Sequence, residues 1–242
     1  MLNDLLDSGE ANGKDLVGLY TAMGDKSKED MDFEKSKECY MSALSKALEE
    51  YGESSIQAGD AALNAGNGLF NVSDYGTALK YYGDALAAYE KAAPDDTDKI
   101  VEVRRSMGDC HSGSQNYEEA VSSYQKAIDF LKTKKGEGDP AFYLLFTSMG
   151  ATLSEMGRFE DALGYFRKGF DLKKNFVGSE MDLMDDYENI GKCCEKVGRY
   201  DEGIEAFSKI VAAIKATMPE MDFLAQEYQG YIDSMKEARS KQ

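Results

Sequence analysis

The chain has 242 residues, of which 30% are charged and 42% hydrophobic, and its net charge is −17. That balance suits a folded protein rather than a disordered one, and so acidic a surface disfavours nucleic acid or an anionic membrane as the partner. No apolar run approaches the roughly 20 residues that span a bilayer, and the opening MLNDLLDSGE lacks the basic region of a secretory signal.

Taken in order, residues 1–12 form a short lead-in, with Leu2, Leu5 and Leu6 as candidates to pack on an open end. From there the apolar spacing of three and four predicts helices in pairs, near 13–29 and 32–50, 56–71 and 74–93, 97–114 and 117–134. Asp139-Pro140 reads as an N-cap followed by proline at the first helical position, opening a fourth pair near 140–156 and 159–176. A fifth pair is expected near 182–197 and 200–218. The stretch 221–239 sets Phe223, Tyr228, Tyr231, Ile232 and Met235 on one side, as a helix capping the last apolar face.

The pairs are copies of one another. In SMGATLSEMGRFEDALGYFRKGF (148–170), Gly157 sits where the first helix must stop, and Phe159, Ala162, Leu163, Phe166 and Phe170 mark one face of the second. Steps of 42 residues backward find Met107-Gly108 with Tyr117, Ala120 and Tyr124, then Gly66 with Tyr75, Ala78 and Tyr82, then Met23-Gly24 with Phe33, Ser36 and Tyr40. One step of 41 forward finds Ile190-Gly191 with Gly198, Tyr200, Gly203 and Phe207. Breaks at Gly52, Pro94, Gly136, Gly178 and Pro219 keep the same register. A fixed period with turn residues in step is the mark of a solenoid, here divided as about 13–54, 55–96, 97–138, 139–180 and 181–220, with 221–242 as cap and tail.

These marks resemble the tetratricopeptide repeat, in the apolar-Gly pair, the aromatic opening the second helix, the small residue three later, the following aromatic and the small residue at Gly169. The usual repeat has about 34 residues, so the longer period is similar to that of kinesin light chains. The resemblance implies an all-α, right-handed superhelical solenoid of five hairpins plus a C-terminal capping helix, with first helices lining a concave groove for partner peptides. It also implies which positions face that groove: Ala22, Asn64, Ser106, Ser148 and Asn189 in one row, Asp25, Asn67, Asp109, Ala151 and Lys192 in the next. Glu29 and Asn71 fall in a third row, and Asn64, Asn67 and Asn71 share one helical stripe. The candidate partner-binding residues are thus Asp25, Glu29, Asn64, Asn67, Asn71, Ser106, Asp109, Ser148 and Asn189. Carboxylate-clamp grooves use cations that this chain lacks: the matching positions hold Thr21, Asp25, Asn64, Glu102 and Ser106 in one frame, and Leu63, Asn67, Ser106, Leu144 and Ser148 in the next. An acidic chaperone tail is therefore not the expected ligand.

Nothing in the chain reads as a catalytic or cofactor site. His111 stands where Leu69, Leu153 and Cys194 stand in other repeats, which is a packing position. Cys193 and Cys194 are consecutive, so a helix turns them about 100° apart and away from a shared metal. With Cys39 and Cys110 they read as buried thiols of a reducing, cytoplasmic compartment, and Asn71-Val72-Ser73 matches a glycosylation acceptor by chance. The first 98 residues carry −12, residues 99–140 are neutral, and the acid of the N-terminal half points to a basic segment in the partner. The expectation is a non-catalytic adaptor binding another protein. The alternative is a structural subunit of a larger cytoskeletal or ciliary assembly, using its convex face or ends.

Overall fold

A computed structural model describes residues 12–241; the lead-in with Leu2, Leu5 and Leu6 lies outside the described residues. The helices are α1 (Gly13–Glu29), α2 (Phe33–Tyr51), α3 (Ile56–Asn71), α4 (Tyr75–Ala92), α5 (Thr97–Gly113), α6 (Tyr117–Lys135), α7 (Phe142–Glu155), α8 (Phe159–Lys173), α9 (Met184–Lys196), α10 (Tyr200–Thr217) and α11 (Asp222–Arg239). Two 3₁₀ turns, Glu180–Leu183 and Pro219–Met221, complete the secondary structure, and there is no strand among the described residues. The fold is all-α, of the helical solenoid class. The chain divides into two compact units, with the boundary between Lys134 and Lys135.

Every hairpin turns in the same way. The second residue after the first helix takes positive φ, at Met31 (60°), Ser73 (62°), Gln115 (62°), Gly157 (75°) and Gly198 (76°). The next N–H then reaches back to the carbonyl five residues earlier, as in Asp74 to Leu69 at 2.9 Å and Arg158 to Leu153 at 2.8 Å. This is the Schellman closure, which satisfies carbonyls a helix end would otherwise orphan. Glycine takes that conformation freely, whereas Met31, Ser73 and Gln115 hold it under strain. Asp32 and Asp74 follow the first two of these turns and cap α2 and α4, accepting the backbone N–H of Lys35 and of Thr77 at 3.2 Å each. Arg158 and Arg199, after the glycines, make no such cap.

The first unit holds α1 to α6. Its core is built from Tyr40, Leu44, Tyr82, Tyr89, Ile100 and Val103, interleaved with Ala61, Ala65, Ala78 and Ala85. Small residues let the helix axes approach, so α1 lies beside α3 and α3 beside α5, with the second helices packed behind.

The second unit holds α7 to α11. Two of its helices start as the sequence predicts, at Phe159 and Tyr200, while other bounds differ. α7 begins at Phe142 rather than 140, because Asp139 caps a preceding turn instead. Its Oδ1 accepts the Ala141 N–H at 2.9 Å, and the Tyr143 N–H bonds the Pro140 carbonyl at 3.0 Å. α8 stops at Lys173, and α9 is preceded by the 3₁₀ turn, which Ser179 and Asp182 close with a capping box. α11 packs on α10, setting Ile232, Met235 and Ala225 against Phe207, Ile210 and Ile214. Tyr231 stacks on Phe207 at 5.1 Å, and the Tyr228 hydroxyl donates to Glu188 at 2.7 Å. Phe223, expected on the inner side, is instead 63% exposed, because the helix starts at Asp222 and its buried stripe runs through 225, 232 and 235.

Removing residues 221–242 uncovers Phe207, Ile210 and Ile214, each of which gains about 1.5–3 kcal/mol from burial. The truncated chain is expected to unfold earlier or aggregate, which light scattering and thermal melting will read. Gln115→Gly should raise stability in urea by up to about 1 kcal/mol, the relief of left-handed strain less the added freedom of an unfolded glycine.

Candidate functional site

Each repeat is pinned by an aromatic ring lying on a glycine. A Cβ added to Gly24 would stand 2.5 Å from the Tyr40 ring, and one on Gly66 2.6 Å from Tyr82. The corresponding distances are 2.5 Å from Gly108 to Tyr124, 2.8 Å from Gly150 to Phe166 and 2.8 Å from Gly191 to Phe207. No side chain fits those gaps, so the ring of each second helix meets the bare backbone of the first.

In the first unit the three rings are tyrosines, and each hydroxyl emerges at the residue following its glycine. Tyr40 donates to Asp25 Oδ1, Tyr82 to Asn67 Oδ1 and Tyr124 to Asp109 Oδ1, all at 2.7 Å. These acceptors are three of the expected partner-binding residues. Asp109 is engaged further, by Arg105 Nη1 at 2.6 Å. In the second unit the pattern switches as a whole: the ring is Phe166 or Phe207, and the acceptor position holds Ala151 or Lys192. A phenol is supplied with an acceptor, and a phenyl ring has none to supply.

The remaining expected residues of the first unit fall as follows. Asn64 is half-buried on α3, in line with Asn67 and Asn71. The Asn71 Nδ2 is buried without a hydrogen-bond partner among the described residues. Ser106 is buried, 6% exposed, and lies against the Tyr82 hydroxyl. Burial pushes the Tyr82 phenol well above its ordinary pKa, and Ser106 offsets part of that rise. Glu29 is exposed and has no ion pair among the described residues. In the second unit Ser148 and Asn189 are half-buried on α7 and α9.

Because Tyr82 takes the carbonyl oxygen of Asn67, the amide nitrogen is the end left free to donate. Asn64 and Asn67 thus offer N–H donors along one stripe, which ends at the buried amide of Asn71, with the carboxylates of Asp25 and Glu29 on neighbouring α1. Such a surface suits an extended segment with carbonyl acceptors and positive charge. The sequence reading missed Asp60 on the same stripe of α3, which accepts the Tyr89 hydroxyl at 2.7 Å and pairs with Lys99. It also missed the second unit's buried pair: Asp186, 3% exposed, meets Lys173 Nζ at 2.9 Å, with the Tyr143 hydroxyl 3.0 Å from the same ammonium. Burial alone would lower the Lys173 pKa, but Asp186 and Tyr143 outweigh it and raise the value.

The four cysteines are free and buried. Burial lifts the Cys110 thiol to about 12 and Cys194 to about 11, far from the range of a reactive thiolate. His111 buries its Nδ1 without a partner among the described residues. Among those residues no cluster is placed to hold a metal, and no helix is long and apolar enough to cross a membrane.

The tyrosine hydroxyls can be tested by a double-mutant cycle. Tyr82→Phe should cost about 0.5–1.5 kcal/mol, the worth of one hydrogen bond. Phe166→Tyr should also destabilise, since its hydroxyl would meet Ala151, and Ala151→Asn should restore most of the loss. Additive effects in urea titration would refute the pairing.

Residues 57–133 match the family model for the tetratricopeptide repeat. The protein kinesin light chain-related 3 of Arabidopsis thaliana is 24% identical over 170 residues, 64% of this chain and 26% of the relative. The match thus spans about a quarter of that relative's length. Among solved structures, BtubC (BKLC) from P. vanneervenii superposes with a TM-score of 0.74 at 15% identity, covering 90% of this chain and 88% of that one. A Podosopora anserina protein described as a kinesin light chain with nearly identical TPR-like repeats gives 0.70 at 8% identity, covering 86% and 99%. The resemblance drawn from the repeat marks therefore holds, and the solved structures agree with it in fold.

Proposed function

We propose that this chain of tetratricopeptide repeats is a non-catalytic adaptor that holds a basic segment of another protein along the polar stripe of α1, α3 and α5. Repeats of this kind support protein–protein interaction in general. The finer reading rests on one observation, the Tyr82 hydroxyl that fixes Asn67 with its amide donors free, in line with Asn64 and Asn71. The acidic side chains beside that stripe set the sign of the partner. Asp25 and Glu29 are exposed on α1, and the first 98 residues carry −12. Asp109 contributes less, since Arg105 already neutralises it.

The partner's charge and its backbone are recognised separately. Attraction between exposed charges is screened over about 8 Å at physiological salt, so the electrostatic part of binding should weaken as salt rises. Asp25→Asn, Glu29→Gln and Asp109→Asn together remove the charge and keep the tyrosine hydrogen bonds, because Asn67 already serves Tyr82 in the same position. The triple variant should bind an isolated partner more weakly at low salt and lose most of the salt dependence. Asn64→Ala and Asn67→Ala should weaken binding at every salt concentration, by about 0.5–1.5 kcal/mol for each hydrogen bond lost. Titration calorimetry at two ionic strengths separates these contributions, and salt-independent binding untouched by either set would rule the stripe out.

A further inference from the structure

On the side of α3 opposite the asparagine stripe, the first unit carries an apolar furrow of about 340 Å³. Ala58 and Ala62 of α3 form its floor, and Asn64, Asn67 and Asn71 point the other way around the same helix. Leu44 and Leu48 of α2 form one wall, Tyr81 and Ala87 of α4 the other. Leu48 is 41% exposed on that wall. At the mouth stand Glu53, Asp84 and Lys91. Lys91 is turned to the Ser54 hydroxyl at 2.9 Å, whereas neither Glu53 nor Asp84 has an ionic partner among the described residues. The furrow is therefore apolar within and negative at its lip, inside the stretch that holds −12 of the chain's charge.

The outer surface of α4 beside it is bare. Gly76 and Gly83 lie inside the helix, and a Cβ on either would meet nothing within 4 Å among the described residues. Glycine weakens a helix relative to alanine, and no contact among the described residues requires it at these two places. With Ala87 they leave α4 flat enough for another backbone to come close.

We propose that this furrow is a second docking surface, for an amphipathic helix of a partner protein that seats apolar side chains between Leu48 and Ala87 and sets Lys or Arg against Glu53 and Asp84. It goes beyond the asparagine stripe, and an adaptor with surfaces on both faces of α3 can hold two proteins at once. Charge selects the occupant: an acidic helix would bring its carboxylates against Glu53 and Asp84, where only Lys91 could answer.

The test uses the full chain labelled with ¹⁵N and three synthetic helical peptides, one of Leu and Lys at amphipathic spacing, one with each Leu replaced by Ser, and one with each Lys replaced by Glu. The Leu/Lys peptide should give saturable shifts at Leu48, Tyr81 and Ala87, and the other two should not. Ala87→Arg and Asp84→Lys, both at exposed positions, should weaken that binding at least tenfold without changing the circular dichroism. The Asp25, Glu29 and Asp109 triple variant should leave it unchanged, so that failure of the furrow and failure of the stripe are separately visible. Equal binding of the Ser peptide, shifts confined to the asparagine stripe, or full affinity in Ala87→Arg would each overturn the proposal.

Discussion

The contact on which the structure depends is an aromatic ring packed directly against a glycine. It recurs in all five hairpins, between residues sixteen positions apart, and it fixes two things together. It sets how closely the two helices approach, because a ring against backbone leaves no room for even a methyl group. It also sets their register, because the ring fits only where the first helix lacks a Cβ, and on α3 a second such contact, Tyr89 over Gly59, keeps the same register. The buried alanines around each ring then follow, as small residues that allow the next helix to close on the first.

The polar surface is a consequence of that contact. A buried phenol must find an acceptor at the rim, so in the first unit each ring requires an oxygen on the residue after the glycine, and Asp25, Asn67 and Asp109 provide it. Part of what appears as a row of free acids and amides is therefore committed to the protein's own architecture. What stays uncommitted among the described residues is the second carboxylate oxygen of Asp25, the amide nitrogens of Asn64 and Asn67, and Glu29. Where the ring is phenylalanine the requirement lapses, and Ala151 and Lys192 occupy the position.

α3 carries both consequences on one helix. Its alanine face at Ala58 and Ala62 floors an apolar furrow, and its asparagine face presents hydrogen-bond donors. The same short period that lets the helix pack between α2 and α4 leaves two chemically different surfaces open on opposite sides of it.

The five hairpins, their period and the closing helix were all legible in the sequence, because glycine, alanine and aromatic residues recur at fixed spacing and each carries a strong steric meaning. The glycine turns at Gly157 and Gly198 were legible for the same reason, while Met31, Ser73 and Gln115 gave no sign of a left-handed backbone, since tertiary packing and the Schellman bonds impose it there. The start of α7 and the outward turn of Phe223 depend on where a helix register begins, which periodicity leaves free by a residue or two. The candidate site divides along the same line. That Asn64, Asn67 and Asn71 share a stripe follows from helical geometry alone, but which acids are free and which are held by Tyr40, Tyr124 or Arg105 depends on a side chain arriving from another helix. The exchange of tyrosine and acid for phenylalanine and alanine is written in the repeats, and its meaning emerges only once the ring is seen lying across the glycine, because spacing along a chain fixes faces and only packing between helices fixes partners.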